Sequence, residues 1–331
     1  MRACFFARVK DRPTLERVEF YKQDIDVLRD CGFDVTIATR WREIPGNADL
    51  YFIWWWQWAF LPLLKARRSG RPCLVTGTFN FETPTRGAYF SRPVYERALM
   101  AYALRHAAAN VFVSELECRQ VTQALRVNNP SYIPHGVDTD VYCPGTPVRE
   151  DFLLSVAWLN QGNAQRKSVP ETIKAFALLR DRYPRLRLLV VGERGSAYPE
   201  LARLAQDQGL GSAVEFLGAI PRDEKISLMQ RCRVYVSPSR YEGFGLAVLE
   251  AMSCGAPVVS SPVGAVPEVV ADAGLLVDGT SPVAIADAVS RYLEDDALAA
   301  EMGTRGRHRA EQEFPYTRRR DEMKRVILQI M

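Results

Sequence analysis

Short apolar runs alternate with longer amphipathic ones along nearly the whole chain, and this alternation limits the fold more than any other feature. In the first half Ala3–Ala7, Asp34–Thr39, Leu50–Trp54, Pro72–Thr76 and Asn110–Ser114 have strand character. Helical patterns separate them near Leu15–Cys31, Ala59–Arg68, Pro93–Ala108 and Glu115–Val127. The second half repeats the rhythm, with strands at Phe152–Ala157, Leu186–Gly192, Val214–Leu217, Val234–Ser237, Ala256–Ser260 and Leu275–Val277. Its helices fall near Val169–Tyr183, Tyr198–Gln208, Asp223–Arg231, Leu246–Cys254, Pro282–Leu293 and Ala297–Glu313, and a last one spans Tyr316–Ile330. Strands joined through helices run parallel, so the pattern predicts an α/β chain with two doubly wound parallel sheets.

Between the halves, Ser131–Thr146 holds two prolines and two glycines with little helical periodicity, which marks a linker. The expected domains are therefore 1–145 and 146–315. A chain of 331 residues, 47% hydrophobic and 25% charged, is long enough for two cores. Seven cysteines at 4, 31, 73, 118, 143, 232 and 254, with no CxxC pair, argue against a disulfide framework or a zinc site and suit a reducing cytoplasm. The N-terminal apolar run is too short for a signal peptide, and Leu50–Leu64 is interrupted by Gln57 and Pro62. Residues 1–150 carry 20 Lys+Arg against 16 Asp+Glu, so the whole net charge of +4 lies there. That excess suits an anionic acceptor or a membrane surface, but a solvated, slightly basic face accounts for it better. Nucleic acid is not an expected partner.

Function concentrates in Val234–Ser260, which has the order strand, glycine-bearing loop, helix, strand. Gly243 and Gly245 let the backbone turn before a helix starts at Leu246, and such a start offers free N–H groups to an anion. Glu242 lies in the loop and Glu250 about one turn into a segment whose other members are almost all apolar. A buried carboxylate needs donors, and the vicinal hydroxyls of a ribose supply two. The plainer alternative is that Glu242 favours the helix start and Glu250 meets an Arg of a neighbouring helix. Upstream, Leu159–Lys167 reads as a loop that aims Arg166 and Lys167 at the same place, either as a diphosphate clamp or as solvated surface charges. Ser168-Val-Pro-Glu171 has the form of a capping box.

Other features have plainer readings. Asp138-Thr-Asp140 has the letters of a metal-binding DxD but sits in the linker, where a solvated turn explains it. His106 reads as a helix-surface residue and His135 as a linker residue. The run Trp54–Trp58, followed by Lys65, Arg67, Arg68 and Arg71, suits an interfacial acceptor site, but a strand end and buried helix start account for it better.

On these residues the second half resembles the donor domain of the retaining GT-B glycosyltransferases, family 4 type (glycosyl transferases group 1). The matching stretches run in register through Leu153-Leu-Ser-Val156, Arg166-Lys167, Val190-Val-Gly192, Phe216-Leu-Gly218, Pro238-Ser239 and Glu242-Gly-Phe-Gly245 with Glu250, then Gly255-Ala-Pro-Val-Val259 and Val266-Pro-Glu268. The resemblance implies two Rossmann-like domains facing a cleft, with the helix at 316–331 packing back on the first. It implies sugar transfer from a nucleotide sugar with retention of anomeric configuration and without a metal. The implied donor is a UDP- or GDP-sugar, a co-substrate rather than a cofactor. The acceptor would be a glycan, a lipid-linked or a small molecule, and a peripheral membrane contact at the inner face is allowed.

Position by position, the resemblance puts Glu250 on the ribose, and Glu242 with the backbone of Gly243, Phe244 and Gly245 on the donor sugar. The N–H groups of Leu246 and Ala247 would meet the diphosphate together with Arg166 and Lys167. Leu217 to Ile220 would cradle the base, and Gly192 would allow close approach of the chain. The first half departs from the family pattern: Ala7–Pro13 lacks the glycines and Val75–Asn80 the histidine often found after those strands, and Trp158 stands where an Arg is common. Two other functions therefore stay open, a sugar phosphorylase of similar fold and a catalytically silent partner subunit.

Overall fold

The computed structural model describes residues 1–10, 12–81, 88–145 and 148–331. Asp11, in the loop after the first strand, and Thr146, at the end of the linker read from sequence, lie outside these. The chain divides into two compact units, Met1–Gly136 with Tyr316–Met331, and Val137–Pro315.

In the first unit six parallel strands, β1 (Arg2–Phe6), β2 (Asp34–Ala38), β3 (Leu50–Trp54), β4 (Cys73–Gly77), β5 (Ala109–Phe112) and β6 (Pro130–Tyr132), lie in the order β2-β1-β3-β4-β5-β6. The connecting helices are α1 (Pro13–Arg17), α2 (Glu19–Asp30), α3 (Phe60–Arg68), α4 (Val94–His106) and α5 (Glu115–Ala124). The single pattern over Leu15–Cys31 becomes two helices because Val18 is extended, with φ −91° and ψ 112°. Strand β3 shows why its letters are apolar throughout: Tyr51 and Ile53 enter one core, and Leu50, Phe52 and Trp54 enter the core on the other face.

The tryptophan run is divided where β3 ends: Trp55 takes φ 77°, so that Trp54 enters one core and Trp56 the other. Trp54 and Trp56 are each 1% exposed. Trp56 stacks on Phe112 at 4.8 Å, and its indole N–H donates to Asn110 Oδ1 at 2.7 Å. Trp58 stays half-buried beside Trp41. The C-terminal helix (Tyr316–Ile330) packs on α2 in this unit. Its Arg319 is buried, forks onto Asp24 at 2.8 and 3.1 Å, and donates to the carbonyls of Ile133 and Pro134. His135, read from sequence as a linker residue, is buried and lies parallel to Trp54 at 5.8 Å. Burial and the Arg319 charge hold its imidazole well below the ordinary range, and therefore neutral at physiological pH.

The second unit has β7 (Glu150–Val156), β8 (Arg187–Val191), β9 (Val214–Gly218), β10 (Cys232–Ser237), β11 (Val258–Ser260) and β12 (Leu275–Leu276), in the order β12-β11-β10-β7-β8-β9. All of its paired strands are parallel. Its helices are α6 (Gln161–Arg166), α7 (Val169–Leu179), α8 (Tyr198–Asp207), α9 (Arg222–Arg231), α10 (Leu246–Ser253), α11 (Val266–Val270), α12 (Pro282–Glu294) and α13 (Asp296–Glu313).

The unit begins at Val137, ahead of the 145/146 boundary read from the linker. Tyr142 is buried there, and its carbonyl accepts from Ser253 Oγ at 2.5 Å and from Arg307 at 2.8 Å. Asp138 Oδ1 accepts from the N–H groups of Asp140 and Val141 at 3.2 and 3.3 Å, closing its own turn. Among the described residues no helix is long and apolar enough to cross a membrane.

Candidate functional site

In the second unit the first strand, β7, lies between β10 and β8, so the connections leaving β7 and β10 diverge from adjacent strands. Open α/β sheets collect ligands outside the carboxyl ends of such a pair. The predicted cations and Glu242 both lie there. After β7 the chain forms α6, where a loop was expected; Asn160 Oδ1 caps it by accepting from the Asn163 N–H at 2.9 Å. Arg166 ends α6, and Lys167 follows with only 8% exposure, so it is not a surface charge.

The turn after β10 brings Glu242 onto these cations. Glu242 Oε2 accepts from Lys167 Nζ and, at 3.2 Å, from Arg166. Arg166 also donates to the Tyr241 carbonyl at 2.8 Å and to Asn163 Oδ1 at 2.7 Å, while its own carbonyl accepts from the Arg240 N–H at 2.7 Å. These bonds tie the two loops together. Burial alone would push the Glu242 carboxyl up, but the charges and hydrogen bonds of Lys167 and Arg166 outweigh it and hold the group below the usual carboxylate range. Two cations face one anion here, which leaves one positive charge for a ligand.

Gly245 caps α10 in the left-handed region, φ 95° and ψ 39°, a conformation that glycine adopts without strain. No side chain caps this helix start. The N–H groups of Leu246 and Ala247 have no acceptor within the helix by its geometry, and both residues are half-buried. Gly243 is buried, and so is Phe244, whose ring packs edge-on against Phe314 at 5.8 Å; their side of the site is therefore backbone. Glu250, 3% exposed, pairs with Lys225 of α9 at 2.8 Å, so the neighbouring-helix partner is a Lys rather than an Arg.

The remaining predicted residues line neighbouring strand ends. Leu217 is the next-to-last residue of β9 and Ile220 follows in the loop, both half-buried. Gly192 stands after β8, where a Cβ would come within 1.9 Å of the Ala157 carbonyl; the approach it permits is between two strand ends of the protein itself. Trp158 is 52% exposed on the same loop system.

The capping box does not form. Ser168 takes a left-handed conformation, φ 49°, at the joint between α6 and α7, and makes no side-chain cap, while Glu171 pairs with Arg240 at 2.8 Å. The sequence also left three supporting residues unremarked. Asn163 orients Arg166, Lys225 pairs Glu250, and Gly264 lies against the Glu242 loop, where a Cβ would sit 1.9 Å from the Glu242 carbonyl. A glycine just ahead of Val266-Pro-Glu268 was the available signal for Gly264.

Two Rossmann-like units, the second with a cation-held glutamate and an open helix start at its switch point, define a glycosyltransferase of the GT-B fold. The family described as Glycosyl transferases group 1 matches residues 147–309. The chain is 34% identical over 297 residues to the GDP-mannose-dependent alpha-(1-6)-phosphatidylinositol monomannoside mannosyltransferase of Mycolicibacterium smegmatis, covering 82% of this chain and 75% of that protein. It is 35% identical over 199 residues to the D-inositol 3-phosphate glycosyltransferase of Corynebacterium jeikeium, covering 55% of this chain and 46% of that one. Among solved structures, Anabaena Alr3699/HepE in complex with UDP and glucose superposes with a TM-score of 0.82 at 17% identity, over 99% of this chain and 100% of that one. Sucrose-phosphate synthase from Thermosynechococcus elongatus gives 0.79 at 21% identity, over 99% of both chains. At such identities the structural matches establish the fold. The chain belongs to the glycosyl transferases group 1 family.

Proposed function

We propose that the protein transfers a hexose from a UDP- or GDP-sugar to its acceptor with retention of anomeric configuration and without a metal. The observation that carries this is the Glu242 carboxylate held by Lys167 and Arg166 at the β7/β10 switch point, beside the uncapped start of α10. The donor diphosphate would lie on the N–H groups of Leu246 and Ala247, within reach of Arg166 and Lys167. Glu250 would accept from the ribose hydroxyls, with Lys225 balancing its charge. Glu242 and the backbone of Gly243 to Gly245 would take hydroxyls of the sugar, and the loop from Leu217 to Ile220 the base.

In this role Glu242 is an acceptor for hydroxyls and not a nucleophile. Two cations on one carboxylate oxygen lower its basicity, unlike the free carboxylate of a retaining glycosidase. The leaving phosphate oxygen takes the acceptor's proton on the same face. The protein contributes positioning and stabilises charge on the departing diphosphate.

Because one relative is named as GDP-mannose-dependent, GDP-mannose joins UDP-glucose as the first donors to try. A donor at about 100 times its dissociation constant should stabilise the protein by roughly 2.7 kcal/mol, read as a thermal shift. Turnover should release the nucleoside diphosphate and continue in EDTA, and NMR of the product should show the donor's anomeric configuration. Inorganic phosphate consumption without nucleotide release would indicate a phosphorylase instead, and binding without turnover a silent subunit.

A further inference from the structure

Trp158 follows β7, the strand that lies between β10 and β8. Strand geometry continues past the end of β7, because the N–H groups of Ala157 and Leu159 donate to the carbonyls of Val191 and Glu193 at 2.8 and 3.0 Å. Successive side chains therefore still alternate between the two faces. Ala157 and Leu159 both enter the core built with α7, α8 and α12, so Trp158 points to the opposite face. That face is covered by α9 and α10, neither of which contributes to that core. It is the side of the sheet that carries Glu250 and the uncapped start of α10.

The backbone under the ring is fixed. A Cβ on Gly192 would come within 1.9 Å of the Ala157 carbonyl oxygen, and one on Gly195 within 2.9 Å of the Leu159 carbonyl oxygen, so the loop after β8 is seated against both neighbours of Trp158. The Trp158 carbonyl accepts from Asn163 Nδ2 at 2.8 Å, and Asn163 Oδ1 accepts from Arg166 at 2.7 Å. Asn163 thus joins the Trp158 backbone to the guanidinium that holds Glu242. The indole itself is the free part: it is 52% exposed and, among the described residues, makes no ring contact, cation contact or hydrogen bond. A single exposed apolar side chain needs no explanation on an ordinary surface. On a rigid strand end beside a buried ion pair, the same side chain is a flat surface already ordered for a ligand.

We propose that the Trp158 ring carries the apolar C–H face of the donor's hexose, whose hydroxyls Glu242 accepts, and so sets which hexoses the site takes. The inference rests on the nucleotide-sugar reading above and specifies the sugar end of that site. A hexose ring presents hydroxyls at its edge and C–H groups on its faces, so an indole below and a carboxylate at the rim divide its recognition between them. The sugar is favoured over the nucleobase because the hydrogen-bonded path from Trp158 leads through Asn163 and Arg166 to Glu242. The loop assigned to the base leaves β9, two strands away from β7.

Trp158 is the one tryptophan of the second unit; the other five stand at 41, 54, 55, 56 and 58 in the first. The difference in emission between wild type and Trp158→Phe therefore isolates it. Calorimetric titration of the full chain with UDP, GDP, UDP-glucose and GDP-mannose, without acceptor, and acrylamide quenching of that emission test the platform. Trp158→Ala should weaken the preferred nucleotide sugar by roughly tenfold, the scale of one aromatic contact, and Trp158→Phe should keep most of the affinity. The free diphosphate should bind Trp158→Ala as it binds wild type, which also shows that the variant is folded. The nucleotide sugar should shield Trp158 from acrylamide, and the free diphosphate should not. Unchanged affinity of Trp158→Ala for the nucleotide sugar would overturn the platform, as would an equal loss with the free diphosphate, which would put the ring on the nucleoside. A wild type that bound neither diphosphate nor nucleotide sugar would remove the donor reading itself, and the platform with it.

Discussion

Lys167→Ala is expected to lower turnover at saturating donor by about 10²–10³-fold, the usual effect of removing one preorganised charge from a leaving group. The substitution has a second effect that a surface lysine would not. Lys167 is 8% exposed and pairs with Glu242, so its loss strands part of a buried carboxylate's charge. Breaking such a pair costs about 3–5 kcal/mol in full, and Arg166 at 3.2 Å keeps the cost toward the lower end. The two effects separate in the double variant Lys167→Gln with Glu242→Gln, which removes the stranded charge. Stability by denaturant titration should recover there, and turnover should not. Wild-type turnover in a folded Lys167→Ala protein would exclude the diphosphate clamp.

Asp24→Asn should destabilise the first unit by about 3–5 kcal/mol, because it leaves the Arg319 guanidinium, 1% exposed, without its counter-charge. At roughly 2–4 °C per kcal/mol for a unit of this size, the melting transition should fall by about 6–20 °C. The carbonyls of Ile133 and Pro134 still accept from Arg319 but carry no full charge. Replacing both partners by apolar residues, Asp24→Leu with Arg319→Met, should cost much less than either single change. A single Asp24→Asn variant that melts with wild type would show that this pair does not anchor the C-terminal helix.

The central strands were legible because both faces of each sheet are covered there, which makes their letters apolar without interruption, as in Leu50–Trp54. Elements without that signal were missed. Gln161–Arg166 has a single buried residue, Ala164, and so no apolar stripe to mark a helix. Pro130–Tyr132 is a three-residue edge strand inside a stretch that otherwise reads as linker. In the candidate site the spacing of Glu242 and Glu250 around Gly243 and Gly245 was visible as a motif. The burial of Lys167 was not, since it depends on a partner 75 residues away. The Asp24–Arg319 pair, 295 residues apart, leaves no local trace at all.

The placement of a nucleotide-sugar donor on the second unit is tested most directly by calorimetric titration of wild type, Glu250→Gln and Glu242→Gln with UDP and GDP. If Glu250 holds the ribose, its Gln variant should bind the preferred diphosphate roughly tenfold or more weakly, the scale of one lost charge-assisted hydrogen bond. Glu242→Gln should bind that diphosphate as well as wild type or better, because Lys167 and Arg166 then face no protein carboxylate. Its turnover with donor should nonetheless fall. Equal diphosphate affinity in wild type and Glu250→Gln would contradict the assignment.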